Sequence, residues 1–340
     1  MKTDPTPPAL LAVGTFVVDY HKVLDHYPEE RSYARVIRER VSNGGAPLNL
    51  LIDLAKLGVD FELHAAGKVG RDLDGQLVLE ACRKHGIHTE QLQAVEGAST
   101  GYTDVFTVES TGRHTCFHSC GIGDSFARRD VKLRAIKPRM LFLGSLGALG
   151  RMDRHNPEFG RKGATQLVRD AHKQGIISVI ELAPIDQQTG IKDYAETLAH
   201  ADYLILSDRL AESMLGMSLY AEGQFDVDLA RMAAKRFLDC GLRRAVVIQS
   251  GAGAIQLDAD GGLHEQSGIL LPSSQRVGSA GSDHAFCAGY IEGLFKAKSV
   301  EHCLMQGIAV ARACRSHLTP SEGIPSLEEC MERVRQAVST

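Results

Sequence analysis

The 340-residue sequence has no uninterrupted apolar run near the roughly 20 residues that a membrane-spanning helix requires. Its opening segment lacks the pattern of a secretory leader, because Gly14 and Thr15 interrupt the apolar run and Asp19 closes it. Positive charge is not in excess: 38 Lys and Arg stand against 42 Asp and Glu, a formal net charge of −4. No overall field therefore draws the chain to nucleic acid or to an acidic membrane. A Walker A sequence is missing, which excludes the P-loop kinases and ATPases. No G-x-G-x-x-G follows the first strand, which argues against a dinucleotide-binding oxidoreductase. Internal repeats, coiled-coil heptads and low-complexity tracts are also missing. These absences lead to the expectation of a cytoplasmic protein whose eight cysteines are free thiols.

What is present reads as a large α/β body. The run ALLAVGTFVVDY predicts a buried strand passing into an extended segment, and 31–41 predicts a half-exposed strand. The loop 42–47 leads into a helix over 48–58, stopped by Gly58. A strand at 61–67 and a helix ending at Gly86 follow. From 139 onward, apolar runs at 139–145, 176–182, 203–207 and 244–250 alternate with helical segments at 161–174, 191–199, 208–215 and 226–240. That alternation predicts a mostly parallel sheet covered on both faces. Two polar, alternating β segments, about 15–41 and 99–120, do not suit such a sheet. They are expected to form a small β lid, the second as a hairpin turning at Glu109 to Gly112 and carrying no large apolar face. Pro-rich residues 5–8 are expected to fray. On the lid, His114, Cys116, His118 and Cys120 alternate along one strand, and four such ligands on a straight strand cannot surround a metal tetrahedrally.

Chemistry concentrates in 277-VGSAGSDHAFCAGYIEGLF-295. Small residues run directly into an amphipathic helix, whose first N–H groups and dipole make an anion site. Phe286, Gly289, Tyr290 and Gly293 share one helical face, read as close packing on the sheet. Asp283 at the helix start suits either an N-cap or a general base beside a phosphate. A second site is 44-GGAPLN-49, where paired glycines admit a ligand to the backbone and Asn49 both donates and accepts. A third is 249-QSGAGAIQLDADGG-262, a strand end followed by a glycine-broken hairpin.

In this order, 44-GGAPLNLLIDLAKLG-58, 67-GKVGRDLDG-75 and 281-GSDHAFCAG-289 resemble the motifs of the ribokinase-like, or phosphofructokinase B-type, carbohydrate kinases, from about residue 10 to residue 337. The resemblance implies a single α/β/α sandwich domain spanning 1–340, with its β lid. It implies ATP-dependent phosphorylation of a hydroxyl on a small sugar or nucleoside-like molecule. It implies sugar contacts from Asp19, Gly44, Gly45 and Asn49, and ATP contacts from Ser250, Gly251 and Gly253. The amides of Gly281 and Ser282 would stabilise the transferring phosphoryl group while Asp283 removes the proton. Mg²⁺ is expected with ATP, with a monovalent cation as a further candidate and a homodimer through the lid edges.

Two departures stand out. With the AF and AG of the late motif held fixed, the family's catalytic Asp falls on His284; one extra residue restores Asp283 as base. His284 is the alternative base, with a suitable ordinary pKa but no negative charge. The family's metal-linked NxxE motif reads Ser207 in the Asn position, with Glu212 two residues late. Asp208 and Glu212, spaced i, i+4, could order Mg²⁺ through water, and Glu181 is an acid at a strand end. These departures keep a second function open: an impaired relative that binds a sugar or nucleotide as a sensor or partner.

Overall fold

The computed structural model describes residues 8–183, 189–272 and 275–338, so Pro5 to Pro7 of the opening segment lie outside the described residues. Nine strands form the main sheet, in the order Leu263–Ser267, Gly253–Asp258, Ala245–Gln249, Tyr203–Ser207, Ile177–Leu182, Met140–Leu146, Ala9–Val13, Glu62–Gly70 and His88–Val95. The seven strands from Ala245–Gln249 to His88–Val95 pair in parallel, and the other two add antiparallel at one edge.

Alternation along each strand feeds two separate cores. Leu10, Ala12 and Val247 point to one, packed by the helices Ala46–Leu57, Ser282–Phe295 and Val300–Cys314. Leu11, Val13, Val246 and Ile248 point to the other, covered by Gly163–Lys173, Asp208–Leu215 and Val227–Leu238. A strand apolar on both faces has to be covered twice, which yields the three layers. The segment expected as one helix over 191–199 divides instead into a 3₁₀ turn, Ile191–Asp193, and a short helix, Ala195–Leu198.

The lid is a separate four-stranded sheet in the order Val36–Gly44, Val17–Leu24, Gly101–Val108, His114–Ser119. Its inner positions Asp19 and His21 are buried. The outer face corrects the expectation of little apolar surface: Tyr102, Phe117 and Val41 are exposed there, and Phe106 meets Phe117 edge-on at 5.6 Å. Period-two alternation hid these aromatics among polar neighbours.

The block 67–75 anchors the lid to the body. Asp72 caps the helix Leu73–Lys84 by accepting from Gly75 N at 2.8 Å, and it also accepts from Thr100 N at 2.7 Å and Thr100 Oγ1 at 2.6 Å. Tyr20 on the lid donates to Asp74 Oδ1 at 2.6 Å. One acidic cap thus ties the end of a body strand to the entry of a lid strand.

The glycines of the late helix need a second correction. A Cβ at Gly289 would collide with the Gln306 carbonyl, and one at Gly293 would crowd Gln306 and Cys303. They therefore pack against the helix Val300–Cys314, not the sheet. Spacing identifies a close face but not the partner that fills it.

Candidate active site

The C-terminal ends of three neighbouring parallel strands present Glu181, Ser207 and Gln249, and the helix Ser282–Phe295 begins beside them. In an open α/β sheet, ligands bind in a crevice of this kind. A small cleft here is lined by Glu181, Ser207, Gln249, Asp283 and Cys287 among others.

The helix starts as its small residues dictate. Gly281 takes a left-handed φ of 78°, a conformation that strains other residues, and a Cβ there would strike Pro320. Ser282 N donates to Ser279 O at 3.2 Å, closing the turn. Asp283 is exposed at the mouth of the cleft, where Oδ1 accepts from Gln249 Nε2 at 2.6 Å. It makes no side-chain cap to its own helix, so the N-cap role considered for it is not used.

His284 points the other way. Its Nε2 lies 3.2 Å from Glu181 Oε1 and its Nδ1 3.1 Å from Asn49 Nδ2. Burial opposes charge on this ring, but Glu181, helped by Asp283 and Asp53, outweighs it and lifts the pKa to about 9. Glu181 also accepts from Ser145 N at 3.0 Å. Nδ1 faces the Asn49 amide donor, so the ring proton lies on Nε2, toward Glu181.

Around it stand the residues expected to hold a sugar. Asn49 is buried, and its Oδ1 accepts from Asn43 Nδ2 at 2.6 Å. Asp19 reaches over from the lid; burial raises its pKa to about 7, against the opposing pull of His284 and Thr103. Gly44 is adjacent, and any side chain there would collide with the Asp19 carboxylate. Gly45, with φ 82°, follows the lid strand and stands at the N-cap of the helix Ala46–Leu57. Asp19, Asn49 and His284 thus come together, with Gly44 and Gly45 making the space.

The other expected residues lie farther along the strand ends. Ser250 closes a tight turn, donating from N to Gly253 O at 2.7 Å and accepting from Ala252 N at 3.1 Å. Gly251 is exposed on that turn. Asp208 accepts from Arg209 N at 2.7 Å and from the Tyr220 hydroxyl. Glu212 accepts from Leu219 N at 2.8 Å and Ser218 Oγ at 3.2 Å through Oε1 alone. Both acids hold the loop after their helix.

Asp53 was missed from sequence. It is fully buried, neither oxygen has a partner within hydrogen-bond reach, and burial raises its pKa to about 8 against Ser321, His284 and Lys56. The available signal was its position four residues after Asn49, on the same helical face. His114 was also unassigned: its Nδ1 lies 3.1 Å from Ser279 Oγ, joining the lid to the turn before the late helix.

This architecture, a mostly parallel sandwich with a β lid over a glycine-led helix start, is that of the ribokinase-like fold. A Cryptococcus neoformans ribokinase structure in complex with ADP superposes with a TM-score of 0.77 at 17% identity, covering 97% of this chain and 100% of that one. The pfkB family carbohydrate kinase model matches residues 9–327, and the chain belongs to that family. Among its relatives, a Clostridium perfringens 5-dehydro-2-deoxygluconokinase is 24% identical over 96% of this chain and 93% of the relative. An ATP-dependent ribose-1-phosphate kinase from Halopiger xanaduensis is 25% identical over 93% and 94% respectively. No helix among the described residues is long and apolar enough to cross a membrane.

Proposed function

We propose that the protein transfers the terminal phosphoryl group of ATP to a hydroxyl of a small sugar or nucleoside-like molecule, with Asp283 as general base. The observation that carries this reading is the division of labour at the helix start. Asp283 is exposed at the cleft mouth, while both ring nitrogens of His284 are engaged inward, Nε2 by Glu181 and Nδ1 by Asn49. A ring engaged at both nitrogens has no free position for the hydroxyl proton, whereas the carboxylate beside it faces the cleft. The helix N-terminus offsets charge that develops as the phosphoryl group moves. Because the Ser282 amide is engaged by Ser279, the anion site we assign to Gly281 and Ser282 needs that turn to loosen when phosphate arrives.

Asp19, Gly44, Gly45 and Asn49 would hold the acceptor, and the Ser250 turn with Gly251 and Gly253 would lie along the nucleotide. Magnesium enters as part of MgATP. Of the two acids proposed to hold its waters, Glu212 fits better, since its Oε2 has no hydrogen-bond partner among the described residues while both oxygens of Asp208 already accept. The lid excludes water when closed. Its exposed aromatic outer face suits pairing with a second copy.

The test is ATP consumption across a panel of sugars, sugar acids, sugar phosphates and nucleosides. Asp283→Asn is expected to lower kcat by roughly 10²- to 10⁴-fold with KM little changed, and His284→Ala to cost less. Loss of turnover in His284→Ala alone would transfer the base to the imidazole. A binding-only role is the second reading, favoured by the contact of His284 with Asn49, inside the acceptor site. Measurable ligand binding without turnover on any substrate would establish it instead.

A further inference from the structure

We infer that Glu62, His64 and His88 form a binding site for one divalent transition-metal ion of the zinc type, at the edge of the main sheet. Among the described residues, this is the one group of three potential metal-ligating side chains whose ligand atoms all lie within 4.8 Å of one another. Strand geometry builds it. Glu62 and His64 are two residues apart on one strand and so share a face, and His88, on the edge strand, is the direct partner of His64.

Two further observations point the same way. The pairing slips between His64 and Ala66, whose partners are His88 and Gln91, so the edge strand carries one extra residue here. Such bulges re-aim side chains at sheet edges. The His64 and His88 rings stack at 4.4 Å, so their in-plane lone pairs run parallel and one ring must turn before both reach one ion. His64 is buried, with Nε2 bonded to Glu62 Oε2 at 3.0 Å and Nδ1 without a partner. A buried imidazole joined at one nitrogen only is unusual, and a carboxylate and two imidazoles match zinc chemistry.

Closing the site requires little movement. Ligand atoms about 3.3 Å apart suit a tetrahedral ion, so the present cluster contracts by at most about 1.5 Å. The exposed His88 supplies this by turning off the His64 stack. Glu90, whose Oε1 lies 3.5 Å from His88 Nδ1, or a water takes the fourth position. All three ligands sit at the N-terminal ends of their strands, away from the strand ends that carry Glu181 and Gln249. The ion would staple the edge strand to its neighbour and take no part in phosphoryl transfer.

The experiment uses full-length protein freed of metal with a chelator and then titrated with zinc chloride against a chromophoric competitor. Cobalt(II) substitution and thermal melting serve as parallel readouts. Expected are one zinc per chain, a tetrahedral cobalt spectrum, and a melting temperature raised by zinc. His88→Ala and Glu62→Gln should each weaken binding at least about tenfold. The metal-free His88→Ala protein should melt like the parent, because that ring is exposed, but no longer respond to zinc. Absence of saturable one-to-one binding would overturn the proposal. So would binding undiminished in both variants; loss of that binding in Cys116→Ser would then place the ion on the lid strand.

Discussion

Asp53 sits one helical turn past Asn49 with both carboxylate oxygens buried and unbonded, its pKa raised from 3.8 to about 8. The folded chain thus keeps a proton that the unfolded chain releases above pH 4. A raised acid contributes stability at low pH that is lost as pH rises through about 4 to about 8. Denaturant titrations at pH 5 and pH 9 should show the parent losing on the order of 2–5 kcal/mol that Asp53→Asn does not lose. An equal slope in the two proteins would remove Asp53 as its source. At the same scale, the raised pKa of Asp19, about 7, predicts that acceptor KM changes between pH 6 and pH 8 and that Asp19→Asn abolishes the change. The exposed place of Asp283 was legible in the sequence, because a run of small residues entering a helix marks an exposed N-terminus. Asp53 was not, since an acid in a leucine-rich helix reads as a point on its solvent face. Only the fold, placing Ser321 and His284 around it, reveals its burial.

At the scale of elements, the seam between Ser282–Phe295 and Val300–Cys314 depends on having no side chain at two positions. Gly289→Ala should cost roughly 1–3 kcal/mol in urea unfolding, because its methyl meets the Gln306 carbonyl and the helices must part. A neutral result would mean that the seam yields more freely than its close contacts suggest. Most of the parallel strands were legible because strands covered on both faces read as near-continuous apolar runs, as in Ala9–Val13 and Ala245–Gln249. The lid strands were legible as strands for the opposite reason, their polar alternation. The edge strand His88–Val95 was not, because His88, Glu90 and Gln93 are exposed in a pattern resembling a loop. The glycine face was visible by spacing, but its partner helix is remote from the information that periodicity carries.

For the whole molecule, the lid joins two proposals. Its outer aromatics make the proposed pairing testable: Phe117→Glu should shift sedimentation at micromolar concentration from two copies to one while leaving the far-UV spectrum unchanged. A single copy in the parent would remove the pairing. Its inner face touches the turn before the late helix through His114 and Ser279. The same Ser279 supplies the carbonyl that engages the Ser282 amide. Swinging the lid outward must therefore break a bond to the very residue that holds the phosphate turn shut. A neutral latch of this kind is worth about 1 kcal/mol, a bias of roughly fivefold. It is strong enough to favour the shut form and weak enough to be released by thermal motion. Admission of a substrate and loosening of the anion site thereby become one event instead of two.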